Sequence, residues 1–576
     1  MAGVTQKEGF AARRARLMNR LAALRAGYAR PSGGFLAQPE PRSIGAYARG
    51  RQLLSGTYLL AGQLVEAPRQ SLWEVEPPSP AFAAEAQGFG WLDDLAALGD
   101  AAGRDRAQRW TAEWIARYGR GRGPGWEPQL AGRRLIRWVN HAPLLLQGRD
   151  EAEVNAWLRA TTRQLVFLAR RWPKAAPGLP RFEALAGLIH AGLALEGMER
   201  HVDPAVTALA RDCTDEIDAE GGIASRNPEE LLEILTLLLW AEQALQGAGR
   251  EALPAHRSAI QRIVPVLRAL RHADGGLARF HGGGRGAEGK LDRALAGTPV
   301  LRGPQLELAM GFARLAAART TVIVDAAPPP PGLSGHASTL AFELTSGRRP
   351  LIVCCGAGAP FGPSWRKAGR ATPSHSTLAI EGFSSSRLAS GGQETMADRA
   401  RVLRADRSLS PEGQHLHLAH DGWSATHGLT HRRDLLLAAD GRQLSGTDTL
   451  AALTGAERKR FEQLMTRGGW AGVRHALRFH LHPDVEAELE MGGSTVSLAL
   501  KSGEIWLFRP EGGASLTLEP SVYLQRGRLK PRATKQIVLA GVAVDFEDRI
   551  GWTLAKAQDT PLAIRDLDRE DLPDRP

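Results

Sequence analysis

The chain contains 576 residues, of which 43% are hydrophobic and 23% are charged. This length and composition indicate a globular protein with more than one core and exclude a chain that is disordered throughout. Nine lysines and 64 arginines exceed the 62 acidic residues, so the formal net charge is +11. An arginine-rich surface suits a polyanion such as nucleic acid or an acidic polysaccharide, although a GC-rich genome would produce the same excess.

Residues 1–27 are basic and weakly amphipathic, but they lack the continuous apolar segment of a secretory signal. The sequence has no run of about 18 apolar residues, so it predicts no transmembrane segment. Its three cysteines, Cys213, Cys354 and Cys355, are too few for a disulfide framework. These features leave the compartment open, since a start site can be misassigned.

Apolar residues recur at helical spacing from about residue 85 to 320. Asn227-Pro228, which is followed by two glutamates, is typical of a helix start. The spacing predicts helices over residues 181–197, 231–245, 256–272 and 304–318. Glycine-rich loops at 220–228 and 274–286 separate some of these helices.

A proline run near residue 328 predicts a stiff, extended linker, and after it the apolar period falls to two. Short strands with turns between them, such as the hairpin at Asp440-Gly441, predict an antiparallel β-sandwich. The predicted boundaries are an N-terminal extension at 1–44, a helical domain at 45–325, the linker at 326–335, the sandwich at 336–560 and a loose tail at 561–576.

Histidines concentrate after the linker, and three side chains there have the chemistry of a metal site. His336 begins one predicted strand, Cys354 ends the next, and His375 precedes a third. Two imidazoles and a thiolate form a reasonable zinc set, but a buried cysteine with hydrogen-bonded histidines is the alternative. His480 and His482 share a strand face, which fits either a metal-binding pair or a polar surface.

The two glycine-rich loops carry Arg226, Asn227, Arg279 and His281. Glycine lets the backbone approach a ligand closely, and Arg or Asn at a helix start can hold a carboxylate or sulfate. The alternative is that Asn227 caps its helix and that the loops merely pack.

Nine segments between about residues 45 and 555 carry a family resemblance: 88–99, 125–145, 181–195, 221–235, 267–284, 335–356, 365–382, 421–448 and 478–489. Among them are GFGWLDDLAALG, GGIASRNPEELLEIL and WRKAGRATPSHSTLAIEG. In this order they resemble the heparinase II/III family of polysaccharide lyases, most closely its proteobacterial members without a characterised substrate.

The resemblance implies an incomplete α/α toroid followed by an antiparallel β-sandwich. It also implies β-elimination at a uronic acid of an acidic polysaccharide, such as a glycosaminoglycan, in the cell envelope. The reaction needs a base for the C5 proton, a donor that neutralises the neighbouring carboxylate, and an acid for the departing O4. We expect no organic cofactor, and we expect no nucleic-acid partner because the chain has 6% aromatic residues and no basic stripe.

The family's metal positions are partly kept. Its His-x-His pair reads Ser334-Gly335-His336 here, so only the metal-binding histidine remains. Cys354 stands where the family has an aspartate ligand, and His375 matches the third ligand. The resemblance therefore implies a structural zinc ion at His336, Cys354 and His375.

The family's catalytic groups are largely missing. The sequence has no tyrosine between residues 119 and 522, and the expected Asn-His pair is not evident at 181–190. From side-chain chemistry and loop setting, we predict His281 as base or acid, Arg226 or Asn227 as the carboxylate-neutralising group, and Arg279 beside them.

The predicted site is a basic groove between toroid and sandwich, where Arg370, His427 and Arg432 would bind substrate. Two alternatives remain open. One is a non-catalytic protein on the same scaffold that binds or handles envelope polysaccharide. The other is a hydrolase that uses two carboxyl groups drawn from Asp215, Glu216 and Glu220.

Overall fold

A computed structural model of the chain describes residues 10–36, 43–298, 307–389 and 394–557. The chain divides into two compact units. The first unit comprises Met1–Asp218 and Glu233–Gln261, and the second comprises Ala219–Leu232 and Arg262–Pro576. Both glycine-rich loops, 220–228 and 274–286, therefore belong to the unit that contains the sheets.

The first unit is built mainly from helices, with one small hairpin near its beginning. The helices of the chain are α1 (Phe10–Ala26), α2 (Tyr47–Leu54), α3 (Pro80–Gln87), α4 (Trp91–Ala96), α5 (Ala101–Tyr118), α6 (Pro128–Asn140), α7 (Ala142–Leu146), α8 (Glu151–Arg171), α9 (Leu179–Ala194), α10 (Val202–Asp215), α11 (Pro228–Gly247), α12 (Pro254–Ala269), α13 (Lys290–Ala296), α14 (Pro363–Gly369), α15 (Ser424–His427) and α16 (Gly455–Arg467). The hairpin strands are β1 (Thr57–Leu60) and β2 (Gln63–Glu66). The predicted helices at 181–197, 231–245 and 256–272 are confirmed by α9, α11 and α12.

Capping and close packing explain why these segments are helical. The Asp150 side chain accepts a hydrogen bond from the Glu153 backbone N–H, and the Glu153 side chain accepts one from the Asp150 backbone N–H, so α8 begins with a capping box. Helices α6 and α9 approach closely because glycines face each other. A Cβ atom on Gly187 would lie 2.4 Å from the Cα of Gly132. Trp114 and Trp138 are buried in the core of the same unit, with ring centroids 5.4 Å apart.

The second unit contains two large antiparallel sheets. Its strands are β3 (Phe312–Ala317), β4 (Thr320–Asp325), β5 (Phe342–Ser346), β6 (Arg349–Val353), β7 (Leu378–Ile380), β8 (Arg387–Leu388), β9 (Met396–Asp398), β10 (Val402–Ser410), β11 (Gly413–Trp423), β12 (Leu429–Ala438), β13 (Gln443–Ala451), β14 (Val473–Leu481), β15 (Glu486–Glu490), β16 (Thr495–Ala499), β17 (Ile505–Glu511), β18 (Ser515–Tyr523), β19 (Arg532–Ala543) and β20 (Glu547–Lys556). One sheet has the order β10-β11-β12-β13-β20-β17-β16-β15. The other has the order β18-β19-β14-β6-β5-β4-β3, with β7 also paired to β14.

Apolar side chains from both sheets form one core, which is the property that defines a sandwich. Phe342 on β5 stacks on Trp552 of β20 with ring centroids 5.8 Å apart, and Phe479 on β14 lies 4.8 Å from Trp552. The hairpin predicted at Asp440-Gly441 is confirmed: it joins β12 to β13, and Gly441 has the positive φ that its turn requires. The predicted order of a helical part followed by an antiparallel sandwich is confirmed.

Two expectations about the boundary between these parts are wrong. The helix predicted over 304–318 is absent from its described part, 307–318, where Phe312–Ala317 is strand β3, which pairs with β4 and buries Ala313 and Leu315 on alternate positions. Alanine-rich sequence favours helix locally, and pairing with a neighbouring strand overrides that preference. The sandwich therefore begins before residue 325, and 326–335 lies within the second unit.

Other expectations concern the ends of the chain. The predicted tail at 561–576 lies outside the described residues, and the N-terminal extension contains α1. Within the described ranges, no helix combines the length and the apolar character needed to cross a bilayer.

Candidate functional site

A polar pocket opens in the second unit, and strands and one glycine-rich loop position its side chains. The pocket encloses about 340 Å³, a volume that includes its open mouth. Its lining residues are His272, Asp274, Leu277, Arg279, Arg285, Glu343, Thr345, Pro350, Ile352, Val353, His482 and Tyr523. Loop 274–286 thus brings two arginines to a sheet surface that carries a glutamate, a histidine and a tyrosine.

Glu343 on β5 is the electrostatic centre of this pocket. Its carboxylate accepts hydrogen bonds from the Arg279 backbone at 3.0 Å and from the Arg279 guanidinium at 3.0 and 3.2 Å, and it lies 3.2 Å from His272 Nε2. Burial alone would raise the pKa of Glu343, but the charge of Arg279 and the hydrogen bond with His272 outweigh it and hold the pKa at about 2. Glu343 is therefore ionised at neutral pH.

Tyr523, at the end of β18, contacts the other side of the Arg279 guanidinium. Arg279 Nη1 donates a hydrogen bond to the Tyr523 hydroxyl, and the guanidinium carbon lies 4.7 Å from the centre of the phenol ring. The ring of His482 packs against Tyr523 with centroids 5.0 Å apart. Burial and the nearby Arg279 charge lower the pKa of His482 well below its usual value, so this imidazole is neutral.

Sequence reasoning singled out Arg279 and His482 separately, but it did not bring them together and it missed Glu343 and Tyr523. Glu343 on β5 and Tyr523 on β18 are far apart in the chain, and no local motif marks them. The glycine-rich loop and the His480/His482 pattern were the signals that pointed here. His480 and His482 are both buried, so they do not form a polar solvent face. Both ring nitrogens of His480 already have protein partners, the Ser521 hydroxyl at 2.8 Å and the Pro373 carbonyl oxygen at 2.9 Å, which argues against a metal-binding pair.

Arg226, predicted to neutralise a substrate carboxylate, is occupied by the protein itself. Its guanidinium donates five hydrogen bonds, one to the Asp325 carboxylate at 2.6 Å and four to backbone carbonyl oxygens of Met310, Gly311, Ala327 and Pro328. An arginine side chain has five N–H donors, so none remains for a ligand. This arrangement contradicts the predicted substrate-binding role and makes Arg226 a structural residue.

His281, predicted as the proton-transfer group, lies fully inside the protein. Its Nδ1 accepts a hydrogen bond from the His336 backbone at 3.2 Å, and its Nε2 lies 3.4 Å from Asp325 Oδ2. Burial lowers the pKa of His281 although Asp325 opposes the shift. A side chain with no exposed surface has no contact with an external polysaccharide, so this position argues against the predicted role.

Asn227 caps helix α11, which was the alternative to its predicted ligand-binding role. Its side-chain oxygen accepts hydrogen bonds from the backbones of Glu229 and Glu230, at 3.0 and 3.3 Å, at the start of α11. The helix start predicted at Asn227-Pro228 is therefore confirmed, and the carboxylate-binding role predicted for Asn227 is not supported by its contacts.

The three predicted metal ligands are only partly assembled. His336 and His375 have ring centroids 5.3 Å apart, and Nδ1 of His336 and both ring nitrogens of His375 are buried without a hydrogen-bond partner. Burial lowers the pKa of His375 to about 3 and raises the pKa of the Cys354 thiol well above its usual range. Two neutral imidazoles suit zinc, and a thiol loses its proton when it coordinates the metal. Among the described residues no group of three His, Cys, Asp or Glu side chains is placed to hold a metal ion. Zinc therefore stays a prediction, and no chemical step is derived through it.

The three predicted substrate-binding residues do not converge on the pocket. Arg370 is buried and donates to the carbonyl oxygens of Gly332, Gly335 and Glu394. His427 on α15 packs against the ring of Phe383, with centroids 4.7 Å apart. Arg432 lies half-buried on β12. Arg370 therefore holds a loop together, and none of the three lines the pocket. The predicted groove between toroid and sandwich stays a prediction.

Comparisons with known proteins agree on a family. Residues 301–553 match the heparinase II/III-like C-terminal domain. FtsZ-localized protein C of Caulobacter vibrioides is 30% identical over 546 residues, covering 92% of this chain and 91% of that protein.

Solved structures support the same assignment at the level of the fold. Heparinase III superposes with a TM-score of 0.67 at 12% identity, covering 93% of this chain and 89% of that one. A mutant of the heparan sulfate lyase HepC from Pedobacter heparinus gives a TM-score of 0.59 at 13% identity, covering 95% of this chain and 89% of that one. The chain therefore belongs to the heparinase II/III-like family and has the α/α-toroid and β-sandwich scaffold of its polysaccharide lyases.

Proposed function

We propose that this chain is a non-catalytic member of its family, which binds an acidic, uronate-containing polysaccharide at the pocket around Arg279 and Tyr523. The observation that carries the proposal is the occupation of Arg226 by five intrachain hydrogen bonds. The protein keeps the scaffold of a lyase, but it uses three of the four side chains predicted as catalytic, Arg226, Asn227 and His281, to stabilise the sandwich unit.

β-Elimination needs three groups that reach the substrate, and the predicted candidates do not supply them. The base must touch the C5 proton, and a cationic or hydrogen-bonding group must touch the carboxylate. His281 is fully buried, Arg226 has no remaining donor, and Asn227 caps α11. Turnover of a polysaccharide is therefore not expected from these residues.

The pocket around Arg279 instead carries arginine and tyrosine side chains that suit the binding of an anionic sugar. Arg279 is fixed by Glu343 and by the Tyr523 hydroxyl, while Arg285 pairs with Asp274 at 3.4 Å and keeps 36% of its side chain exposed at the same pocket. Guanidinium groups bind carboxylates and sulfates with paired, charge-assisted hydrogen bonds, and the phenol offers a face and a hydroxyl to a sugar ring. These groups suit one anionic sugar unit of a longer chain.

The test is a calorimetric titration of the full chain with size-defined glycosaminoglycan and polyuronate oligosaccharides. Ultraviolet absorbance of the same mixtures reports any unsaturated uronate, the product of elimination. We expect binding without product. Arg285→Ala should weaken binding about tenfold, because one charge-assisted hydrogen bond is worth roughly 1.5 kcal/mol or more.

Arg401→Ala is the matched control, because Arg401 is 80% exposed, pairs with Asp421 and lies outside the pocket. It removes the same charge and should leave affinity within about twofold. Equal losses in the two variants, or no binding to any acidic oligosaccharide, would contradict the proposal. Accumulation of unsaturated uronate would show that the protein is a lyase after all.

A second candidate function rests on the relative from Caulobacter vibrioides. That protein is named for its localisation with FtsZ, and its 30% identity extends over 92% of this chain. The lyase structures are only 12–13% identical. We therefore also propose an association with FtsZ. Co-sedimentation of the full chain with FtsZ polymers, with unassembled FtsZ as control, should recover it in the pellet; absence from the pellet would contradict this candidate.

A further inference from the structure

Helix α1 exposes an apolar stripe formed by Leu17, Leu21 and Leu24, with Phe10 two turns before them. Phe10, Leu17, Leu21 and Leu24 are 83%, 56%, 42% and 45% exposed. At 100° per residue these four positions fall within about 60° of the helix circumference. Single exposed leucines are ordinary on protein surfaces, but an aligned row on one helix face marks an interaction surface.

The opposite face of α1 is fixed to the rest of its unit. Asn19, Ala23 and Ala26 are buried on that face. Asn19 also accepts a hydrogen bond of 2.7 Å from Arg171, the last residue of α8. The small side chains let α1 lie close to α8, so the apolar stripe is held facing outward and is not an alternative core face.

Basic residues border the stripe on both sides. On the same helical projection, Arg13 and Arg20 lie on one flank, while Arg14 and Arg25 lie on the other. Residues 10–26 include no aspartate or glutamate. Arginine can bury its aliphatic stem beside an apolar surface while its guanidinium stays with water or phosphate.

We propose that α1 binds an anionic lipid bilayer, with the stripe of Phe10, Leu17, Leu21 and Leu24 inserted among the acyl chains and the flanking arginines on the lipid phosphates. A helix with an apolar stripe and a cationic border lies in the plane of a membrane interface. Each arginine near an anionic leaflet adds attraction, so charge and apolar burial act together. The inference is independent of polysaccharide binding in the second unit.

The charge pattern of α1 also favours an anionic bilayer over a second copy of the chain as its partner. Two α1 helices packed stripe to stripe would bring four rows of arginine together without any acidic partner on either helix. Like charges at such an interface repel each other. An anionic bilayer provides both the apolar phase and the compensating negative charge.

The experiment is flotation of the full chain with vesicles of phosphatidylcholine, with or without phosphatidylglycerol. We expect binding to the mixed vesicles and much weaker binding to phosphatidylcholine alone. Leu17→Glu combined with Leu21→Glu should reduce the bound fraction about tenfold or more, because it places two charges in the inserted face. The melting temperature should not change, since both side chains face outward.

The matched control is Leu403→Glu combined with Leu409→Glu, which makes the same change at two leucines exposed on β10. It should bind vesicles like the unmodified chain. Arg13→Gln combined with Arg20→Gln keeps the stripe and should weaken binding only to the anionic vesicles, and added salt should do the same.

Equal vesicle binding by the Leu17/Leu21 variant and its control would overturn the proposal. So would equal binding to the two kinds of vesicle. Light scattering tests whether a second copy of the chain covers the stripe instead. If the unmodified chain is a dimer, and the Leu17/Leu21 variant is a monomer that still binds vesicles, the stripe serves self-association.

Discussion

Arg226→Ala should destabilise the second unit strongly, because this one side chain links a loop, two strands and a buried carboxylate. The substitution removes the ion pair with Asp325, four hydrogen bonds to carbonyl oxygens and the contact of the guanidinium with the Phe312 ring, whose centre is 4.6 Å away. Asp325 is fully buried and would keep only Ser338 at 2.7 Å and His281 at 3.4 Å.

The magnitude follows from what is left behind. Removing one partner of a buried ion pair costs about 3–5 kcal/mol, because the remaining charge has lost both water and its counter-ion. Arg226→Ala combined with Asp325→Asn removes that charge, so the double variant should recover about 1–3 kcal/mol of the loss.

The pH dependence has a definite sign. Burial alone would raise the pKa of Asp325, but Arg226 and His281 outweigh it and hold the pKa well below its usual range. A depressed carboxyl pKa contributes stability that is present above the unfolded-state pKa and is lost as pH falls. The difference between the unmodified chain and Arg226→Ala should therefore shrink below about pH 4.

The assay is urea unfolding followed by tryptophan fluorescence at pH 7 and at about pH 3, below the unfolded-state pKa of an aspartate, with the transition of the second unit analysed separately. Arg401→Ala, whose ion pair with Asp421 is solvent-exposed, should cost less than about 1 kcal/mol. A similarly small cost for Arg226→Ala would refute the assignment of Arg226 as a structural residue and would return it to the candidate binding groups.

Three further predictions concern the pocket, the buried imidazoles and the helical unit. Glu343→Gln should cost about 3 kcal/mol at pH 7, because the pKa of Glu343 falls from 4.5 to about 2 on folding, and the cost should vanish as pH drops through that interval in a denaturation series. His375 has its pKa lowered from 6.5 to about 3, so the unfolded chain binds the extra proton and stability should fall on acidification, by about 2 kcal/mol between pH 6.5 and 5. His375→Asn should flatten that pH profile, and an unchanged slope would contradict the burial of a neutral imidazole. Gly187→Ala should lower the melting temperature by several degrees, since its methyl group would lie 2.4 Å from Gly132 Cα. Gly247→Ala meets nothing within 4 Å and should leave the melting temperature unchanged or slightly higher, so equal behaviour of the two glycine variants would refute the packing argument.

Side chains whose chemistry suits ligand binding can serve the fold instead. Arg226 and Asn227 lie at the start of α11, where a guanidinium and an amide can form hydrogen bonds either with a ligand or with nearby backbone groups. In this chain both side chains form hydrogen bonds with backbone groups. The pocket around Arg279, by contrast, keeps polar groups at an open surface.

The amino-acid sequence by itself determined the order of the architecture and many of its local features. A helical period of 3.6 residues and a strand period of two are properties of neighbouring residues, so α9, α11 and the hairpin at Asp440-Gly441 could be predicted from short segments. The capping of α11 by Asn227 was one of two local alternatives. The nine segments that resemble the heparinase II/III family, in their order along the chain, indicated the family.

Only the tertiary structure decided which side chains remain available for function. The Arg226 guanidinium is paired with Asp325, and the Arg279 guanidinium contacts Glu343 and Tyr523. In the same way, β3 is a strand because it pairs with β4. Each of these outcomes depends on a partner whose position follows from the packing of the whole unit. A side chain's chemistry is written in the sequence, but its burial, its pKa and its free hydrogen-bond donors are properties of its surroundings.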